Sequence, residues 1–325
     1  MLNAAIVGLG WWGKEIVRSV QGKSKRLRFA RGISKEPDTV KGFASEHGFV
    51  LSTEYEDAIR DPQIDAVVLA TPHSLHLPQI QAAAAAGRQV FCEKPLALSK
   101  ANAERAVEAC AKAKKVLGVG HNRRFWQPMV EIKRLLDSGA LGTVMQVEGN
   151  YSTDWLKDVR PGDSWRASPD EAPAGGMTGM GIHIIDSYIN MFGPVAEVHA
   201  AVAKRLLPNP TGDTVSVLLK FRSGLIGTLA TTMVTPYLWR YHVLGSHGWA
   251  EARSEFHLVT RKRGMETQHT EYPPLDSVLA EFEAWLDAIE GKTPYMFTGE
   301  QIVQTAATLE AIFRSAESGK AVTVG

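Results

Sequence analysis

Short apolar runs alternate with amphipathic stretches through the first 120 residues. Ala4-Ala5-Ile6-Val7 is a compact apolar run, and the Ile16, Val17 and Val20 spacing beyond it has the period of a helix with one buried face. The pattern then predicts a strand from Leu27 to Ile33, helices over 40–47 and 55–60, and a buried strand over 64–70. An alanine-rich helix over 77–86 is stopped by Gly87. A strand over 88–92, a helix over 100–114 and a last strand over 116–120 follow. Strands separated by helices lie parallel, with helices covering both faces, so this part reads as a doubly wound α/β sheet.

From Asn122 the rhythm changes. One helix is predicted over 128–139, after which strand-like runs dominate: 143–151, 195–203, 214–221, 225–232, 241–244 and 249–252. Without intervening helices these pair mainly antiparallel, giving an open sheet. Helices near 275–290 and 299–318 end the chain. The division expected is a Rossmann-type domain over 1–121 and an α/β domain over 122–325, whose last helices are able to pack back on the first domain.

Composition narrows the class. The 325 residues hold 44% hydrophobic and 22% charged side chains with a net charge of +1, which suits two soluble cores and offers no global field for nucleic acid or an anionic membrane. The cluster Arg261-Lys262-Arg263-Gly264 reads as a solvated turn. No apolar stretch approaches the roughly 20 residues of a membrane helix. The N-terminus enters a strand with no basic leader or cleavage site, and the two cysteines, Cys92 and Cys110, form neither a disulfide framework nor a zinc set. A cytoplasmic protein without a bound metal is expected.

Gly8-Leu9-Gly10-Trp11-Trp12-Gly13 lies at the first strand-to-helix junction. Glycines there permit a tight turn, a close backbone approach to a pyrophosphate and close helix–strand packing, while the helix N-terminus offers unpaired N–H groups to the phosphates. At the end of the next strand an acidic residue usually accepts from the ribose 2′-hydroxyl. Here Ser34 and Lys35 stand 21 and 22 residues past Gly13. A hydroxyl and a cation favour a 2′-phosphate, so the reading is NAD(P) with a lean towards NADP, although Glu36 and Asp38 lie just beyond. Glu93-Lys94-Pro95-Leu96 delivers a lysine to the carboxyl end of a predicted parallel strand, the edge where ligands sit in such sheets.

With these residues stands an ordered set: Ala70-Thr71-Pro72-His73 with His76, Asn122-Arg123-Arg124-Phe125, Ser138-Gly139-Ala140-Leu141-Gly142, Trp165-Arg166, and Gly175-Gly176 followed by Gly181-Ile182-His183 and Asp186. Together they resemble the Gfo/Idh/MocA oxidoreductases over nearly the whole chain. The resemblance implies hydride transfer between a nicotinamide and a hydroxyl or carbonyl carbon of a sugar, cyclitol or related small molecule. It implies that Lys94 orients the reacting oxygen and that His183 handles the proton. It also implies a cofactor cleft lined by Gly8, Leu9, Gly10, Trp11, Trp12, Gly13, Ser34, Lys35, Thr71, Pro72, His73, His76, Glu93, Lys94, Arg123, Trp165 and Arg166. Asp154, Trp155, Thr178 and Asp186 are candidate substrate contacts, with a structural role for Asp186 equally open; Tyr151 lies in the same stretch. The tryptophans either stack on a ring or pack in the domain interface. A homodimer or homotetramer through the open sheet is implied as well.

One position departs from the family pattern. Many members carry an aspartate four residues before the histidine, where this chain has Gly179. Lys94 and His183 then act with Thr178 or Asp154 in its place, or the substrate is bulkier or less hydroxylated. The remaining alternative is a non-catalytic dinucleotide-binding sensor or regulator. His242 and His247 beside a sheet turn, and Asp213 at a strand start, read as surface residues.

Overall fold

A computed structural model describes residues 1–154, 164–207 and 210–325. The chain divides into two compact units: 1–97 with 101–122 and 276–302, and 98–100 with 123–275 and 303–325.

In the first unit, β1 (Leu2–Val7), α1 (Trp11–Val20), β2 (Leu27–Ile33), α2 (Pro37–His47), β3 (Val50–Ser52), α3 (Glu56–Arg60), β4 (Ala66–Leu69), α4 (His76–Ala85), β5 (Gln89–Cys92), α5 (Lys100–Lys112) and β6 (Leu117–Val119) alternate along the chain. The six strands stand in the order β3-β2-β1-β4-β5-β6, all parallel. The order reverses at β1, so the carboxyl ends of β1 and β4 frame the crevice where such sheets bind ligands. β3 has three residues at the sheet edge, too few to show a period in the sequence.

In the second unit, α6 (Gln127–Asp137) leads into β7 (Val144–Ser152), α7 (Ile182–Phe192), β8 (Val195–Ala203), β9 (Thr214–Phe221), β10 (Ile226–Thr232), β11 (Leu238–Gly245), β12 (Gly248–Ala252), β13 (His257–Lys262) and β14 (Gln268–Glu271). Then α8 (Ser277–Ile289) joins the first unit, and α9 (Gly299–Ser318) and β15 (Val322–Thr323) end the chain. The nine-stranded sheet runs β14-β13-β12-β11-β7-β10-β9-β8-β15. Every pairing is antiparallel except β7 with β10. Strand alternation splits it into two faces: Val147, Val217, Leu229, Tyr241 and Val243 enter the core with Ile184, Ile185 and Tyr188 of α7.

α7 is buried over most of its circumference, with His183, Asp186 and Ser187 enclosed beside four isoleucines, so its polar positions do not mark a wet face. β13 and β14 form a polar edge hairpin, and the basic cluster is shared between the end of β13 and the turn at Arg263 and Gly264 rather than being turn alone. Asp213 is not a surface residue: it is 1% exposed. Burial works against its charge. The backbone N–H groups of Leu206, Leu207 and Arg205 outweigh that cost and, with the Thr214 hydroxyl, hold its carboxyl below the usual range.

α8 belongs to the Rossmann core. Phe282 stacks on Phe91 at 4.3 Å, Trp285 meets the same ring edge-on at 5.5 Å, and the Trp285 indole donates to the Val116 carbonyl. A Cβ at Gly118 would come within 2.4 Å of Phe91 and 2.9 Å of Trp285, so that strand position must lack a side chain.

Candidate active site

The first unit presents its candidate groups along the strand ends. Gly8 has φ +91°, and a Cβ there would lie 2.5 Å from the Ala70 carbonyl oxygen; a Cβ at Gly13 would lie 2.0 Å from that of Gly8. These contacts pull α1 against β1 and β4. No side chain caps α1 and its first turn holds no acid, so its leading N–H groups keep their positive end for an anion. The arrangement fits a dinucleotide pyrophosphate. Trp11 is 67% exposed at this turn, with its ring 5.4 Å from that of Trp12. Leu9 is buried in the core behind them.

At the end of β2, the Ser34 hydroxyl accepts from the Glu36 N–H. Lys35 lies 3.7 Å from Glu54, both well exposed. Such a solvated pair is worth about 0–1 kcal/mol, too little to hold the ammonium away from a phosphate. The neighbouring Arg31 is committed to Ser52 and Asp61.

Thr71, Pro72 and His73 follow β4, and the Thr71 hydroxyl donates to Gln79 Oε1. His76 does not line the cleft through its ring, which corrects the expectation. It is fully buried, with Nδ1 3.0 Å from the Pro95 carbonyl and Nε2 3.0 Å from that of Thr71. The ring braces the β4 loop against the Lys94–Pro95 segment, whose peptide bond is cis. Lys94 is half-buried, and its N–H donates to the Glu93 carboxylate. Glu93 is 6% exposed and sits over the Cα of Gly120, where a Cβ would meet it at 2.5 Å.

The second unit gathers a different set. Met177–Gly181 form one turn of π-helix, which runs directly into α7. This wider turn places His183 at the second position of α7, 3% exposed, with its carbonyl accepting from the Ser187 hydroxyl. The Tyr151 ring lies 6.1 Å from that of His183 and 5.3 Å from Trp239. The Arg123 guanidinium lies 4.7 Å from Trp126 and 5.8 Å from Tyr151, and donates to the Tyr151 hydroxyl at 3.4 Å. Met180 and Met233, both buried, pack with Tyr151 and Leu207. Tyr151 therefore joins an apolar patch to a cationic one. Its centrality shows only after β7 and β11 pair, as does the role of Trp239.

Two candidate substrate contacts are otherwise employed. The Thr178 hydroxyl, fully buried, donates to the Pro173 carbonyl. Asp186, 3% exposed, accepts from Arg124 through both oxygens. The structure thus favours the structural reading of Asp186 over a substrate contact. Asp154 follows β7 and is half-buried. Trp165 and Arg166 share a short 3-10 turn, the guanidinium 4.1 Å from the indole. Trp155 lies outside the described residues. A Cβ at Gly179 would meet no atom of the described residues within 4 Å. Among the described residues no His, Cys, Asp and Glu group could hold a metal ion, and no helix is long and apolar enough to cross a membrane.

Comparison with known proteins extends these observations. Residues 2–121 match the family model for an oxidoreductase family with an NAD-binding Rossmann fold, and residues 129–251 match the GFO/IDH/MocA C-terminal domain. The chain is 29% identical to D-xylose 1-dehydrogenase (NADP(+)) 2 of Haloferax volcanii, over 99% of this chain and 98% of that protein. It is 27% identical to inositol 2-dehydrogenase 2 of Saccharopolyspora erythraea, over 99% of this chain and 95% of the other. The match to an uncharacterized oxidoreductase of Streptococcus pneumoniae is 28% identical and spans 61% of this chain and 52% of that protein. An aldose–aldose oxidoreductase of Caulobacter crescentus, crystallised with glycerol, superposes with a TM-score of 0.88 at 26% identity over 99% of both chains.

The His76 brace generates a direct expectation. His76→Phe keeps the ring volume but removes the two ring nitrogens that face the Pro95 and Thr71 carbonyls, and with them the one N–H that a neutral imidazole donates there. It should cost about 1–3 kcal/mol in denaturant melts and weaken dinucleotide binding. Unchanged melting and binding would show that the ring is mere filler.

Proposed function

The chain belongs to the Gfo/Idh/MocA family of NAD-binding oxidoreductases, and from that premise we propose that it oxidises a hydroxyl carbon of a sugar or cyclitol, or runs the reverse reduction. The nicotinamide, when bound, supplies the hydride acceptor. The uncapped N-terminus of α1, reached through Gly8, Gly10 and Gly13, binds the pyrophosphate. This cradle is the observation that carries the reading.

Lys94 directs its ammonium at the reacting oxygen and stabilises the alkoxide as the proton departs. His183 accepts that proton as the imidazole base. Tyr151, backed by the buried Met180 and Met233, offers the substrate an aromatic wall, and Gly179 leaves room beside it for a substituent. A sensor that binds the dinucleotide without turnover would need the glycines but not His183.

Lys94→Ala should lower kcat by about a hundredfold or more while the dinucleotide still binds. The assay follows reduced nicotinamide with D-xylose, myo-inositol and levoglucosan. Wild-type rates in the variant would remove Lys94 from the mechanism.

For the cofactor, Ser34 and Lys35 favour the 2′-phosphate. The relatives include an NADP-dependent xylose dehydrogenase, in keeping with this lean. Titration should give the tighter Kd for NADP, and Lys35→Ala should narrow the difference. Tighter NAD binding in the wild type would reverse the assignment.

The outer face of the nine-stranded sheet carries Leu218 at 50% and Ile226 at 49% exposure, beside the charged network of Arg240, Glu148 and Glu251. A second copy of the chain covers this face, its apolar centre and paired charges being suited to self-association. Sedimentation should find a dimer or tetramer that Ile226→Glu dissociates; a monomeric wild type would contradict this.

A further inference from the structure

A buried ion pair joins two segments that the proposed chemistry needs in fixed relation. Arg124 Nε lies 2.8 Å from Asp186 Oδ2, and Nη2 lies 2.7 Å from Oδ1, with the side chains 1% and 4% exposed. Arg124 Nη1 also donates to Asn190 Oδ1 at 3.2 Å, one further turn along α7. The guanidinium therefore grips two successive turns of the helix that carries His183. The planar fork fixes orientation as well as distance, which a lysine cannot reproduce.

We propose that Arg124 and Asp186 form a positioning clamp that sets the His183 imidazole against the Tyr151–Arg123 wall. The contacts close a ring. His183 is one turn from Asp186; Asp186 holds Arg124; Arg124 is bonded in sequence to Arg123. Arg123 donates to the Tyr151 hydroxyl, and the Tyr151 ring returns to His183 at 6.1 Å. Slippage of α7 by a fraction of a turn would move His183 relative to Tyr151, and the clamp opposes that motion directly. Burying two charges is itself unfavourable, and well-packed apolar side chains often stabilise as much. Stability alone therefore does not account for a pair at this place; registry does. Arg124 and Asp186 touch no reacting atom in this scheme and act only through His183 and Tyr151.

The inference rests on the oxidoreductase reading, and the test separates the two. The double variant Arg124→Met/Asp186→Leu replaces the clamp with apolar bulk, and Arg124→Lys keeps the charge but loses the fork. Each is compared with wild type by thermal melting, by dinucleotide titration, and by kcat and KM on D-xylose and myo-inositol. The expectation is a kcat lowered about ten- to a hundredfold in both variants, with dinucleotide affinity unchanged and KM altered far less. The double variant should melt close to wild type. Wild-type kcat in either folded variant would overturn the clamp and leave the oxidoreductase reading standing. If the double variant does not fold, Arg124→Lys alone decides. A wild type that binds dinucleotide yet oxidises no aldose, cyclitol or anhydrosugar would overturn both.

Discussion

The closest backbone approach in the first unit is the one on which its chemistry depends. Where β1 turns into α1, the Gly8 carbonyl occupies the space that a Cβ on Gly13 would fill, and the Ala70 carbonyl does the same to Gly8. Two glycines thereby let one helix N-terminus rest on the carboxyl ends of two adjacent strands. Everything else along that edge is arranged around it. The β4 loop with Thr71 and the β5 loop with Lys94 are tied together by the buried His76 ring. Behind the sheet, Phe282 of α8 stacks on Phe91 and Trp285 meets the same ring edge-on.

The second unit solves a different problem. It must hold an imidazole and a cationic aromatic cluster in place on an open sheet. The π-turn before α7 and the bidentate Arg124–Asp186 pair fix the helix, while the cross-strand, edge-on contact of Tyr151 with Trp239 fixes the wall. Met180 and Met233 add adaptable apolar surface.

Much of this was legible before folding. The alternation of the first half predicts the parallel sheet, and strands over 195–203 and 214–221 end where the structure ends them. Periodicity succeeds there because one face is buried and the other is wet. It fails at α7, where burial surrounds the helix, and at β3, which is too short to repeat. The glycine loop and Lys94 were visible because their chemistry is local in sequence. The roles of His76, Thr178, Asp186 and Asp213 were not: the Pro95 carbonyl and the Arg124 guanidinium come from other segments, and the nearer carbonyl and N–H partners are met only through loop geometry that has no period. A histidine beside a cleft and a histidine bracing two carbonyls look alike in one dimension. Tyr151 is only one more residue of its stretch in the sequence and becomes a hub through the pairing of β7 with β11.

In the proposed reaction this chain moves a hydride from a carbinol carbon to a nicotinamide. The most direct measurement follows the atom itself: incubation with oxidised NADP or NAD and a sugar or cyclitol deuterated at the carbinol carbon, then mass analysis of the recovered dinucleotide. One deuterium should appear on the nicotinamide ring of the reduced cofactor. Saturated binding of the dinucleotide with no label transferred from any substrate of that class would contradict it.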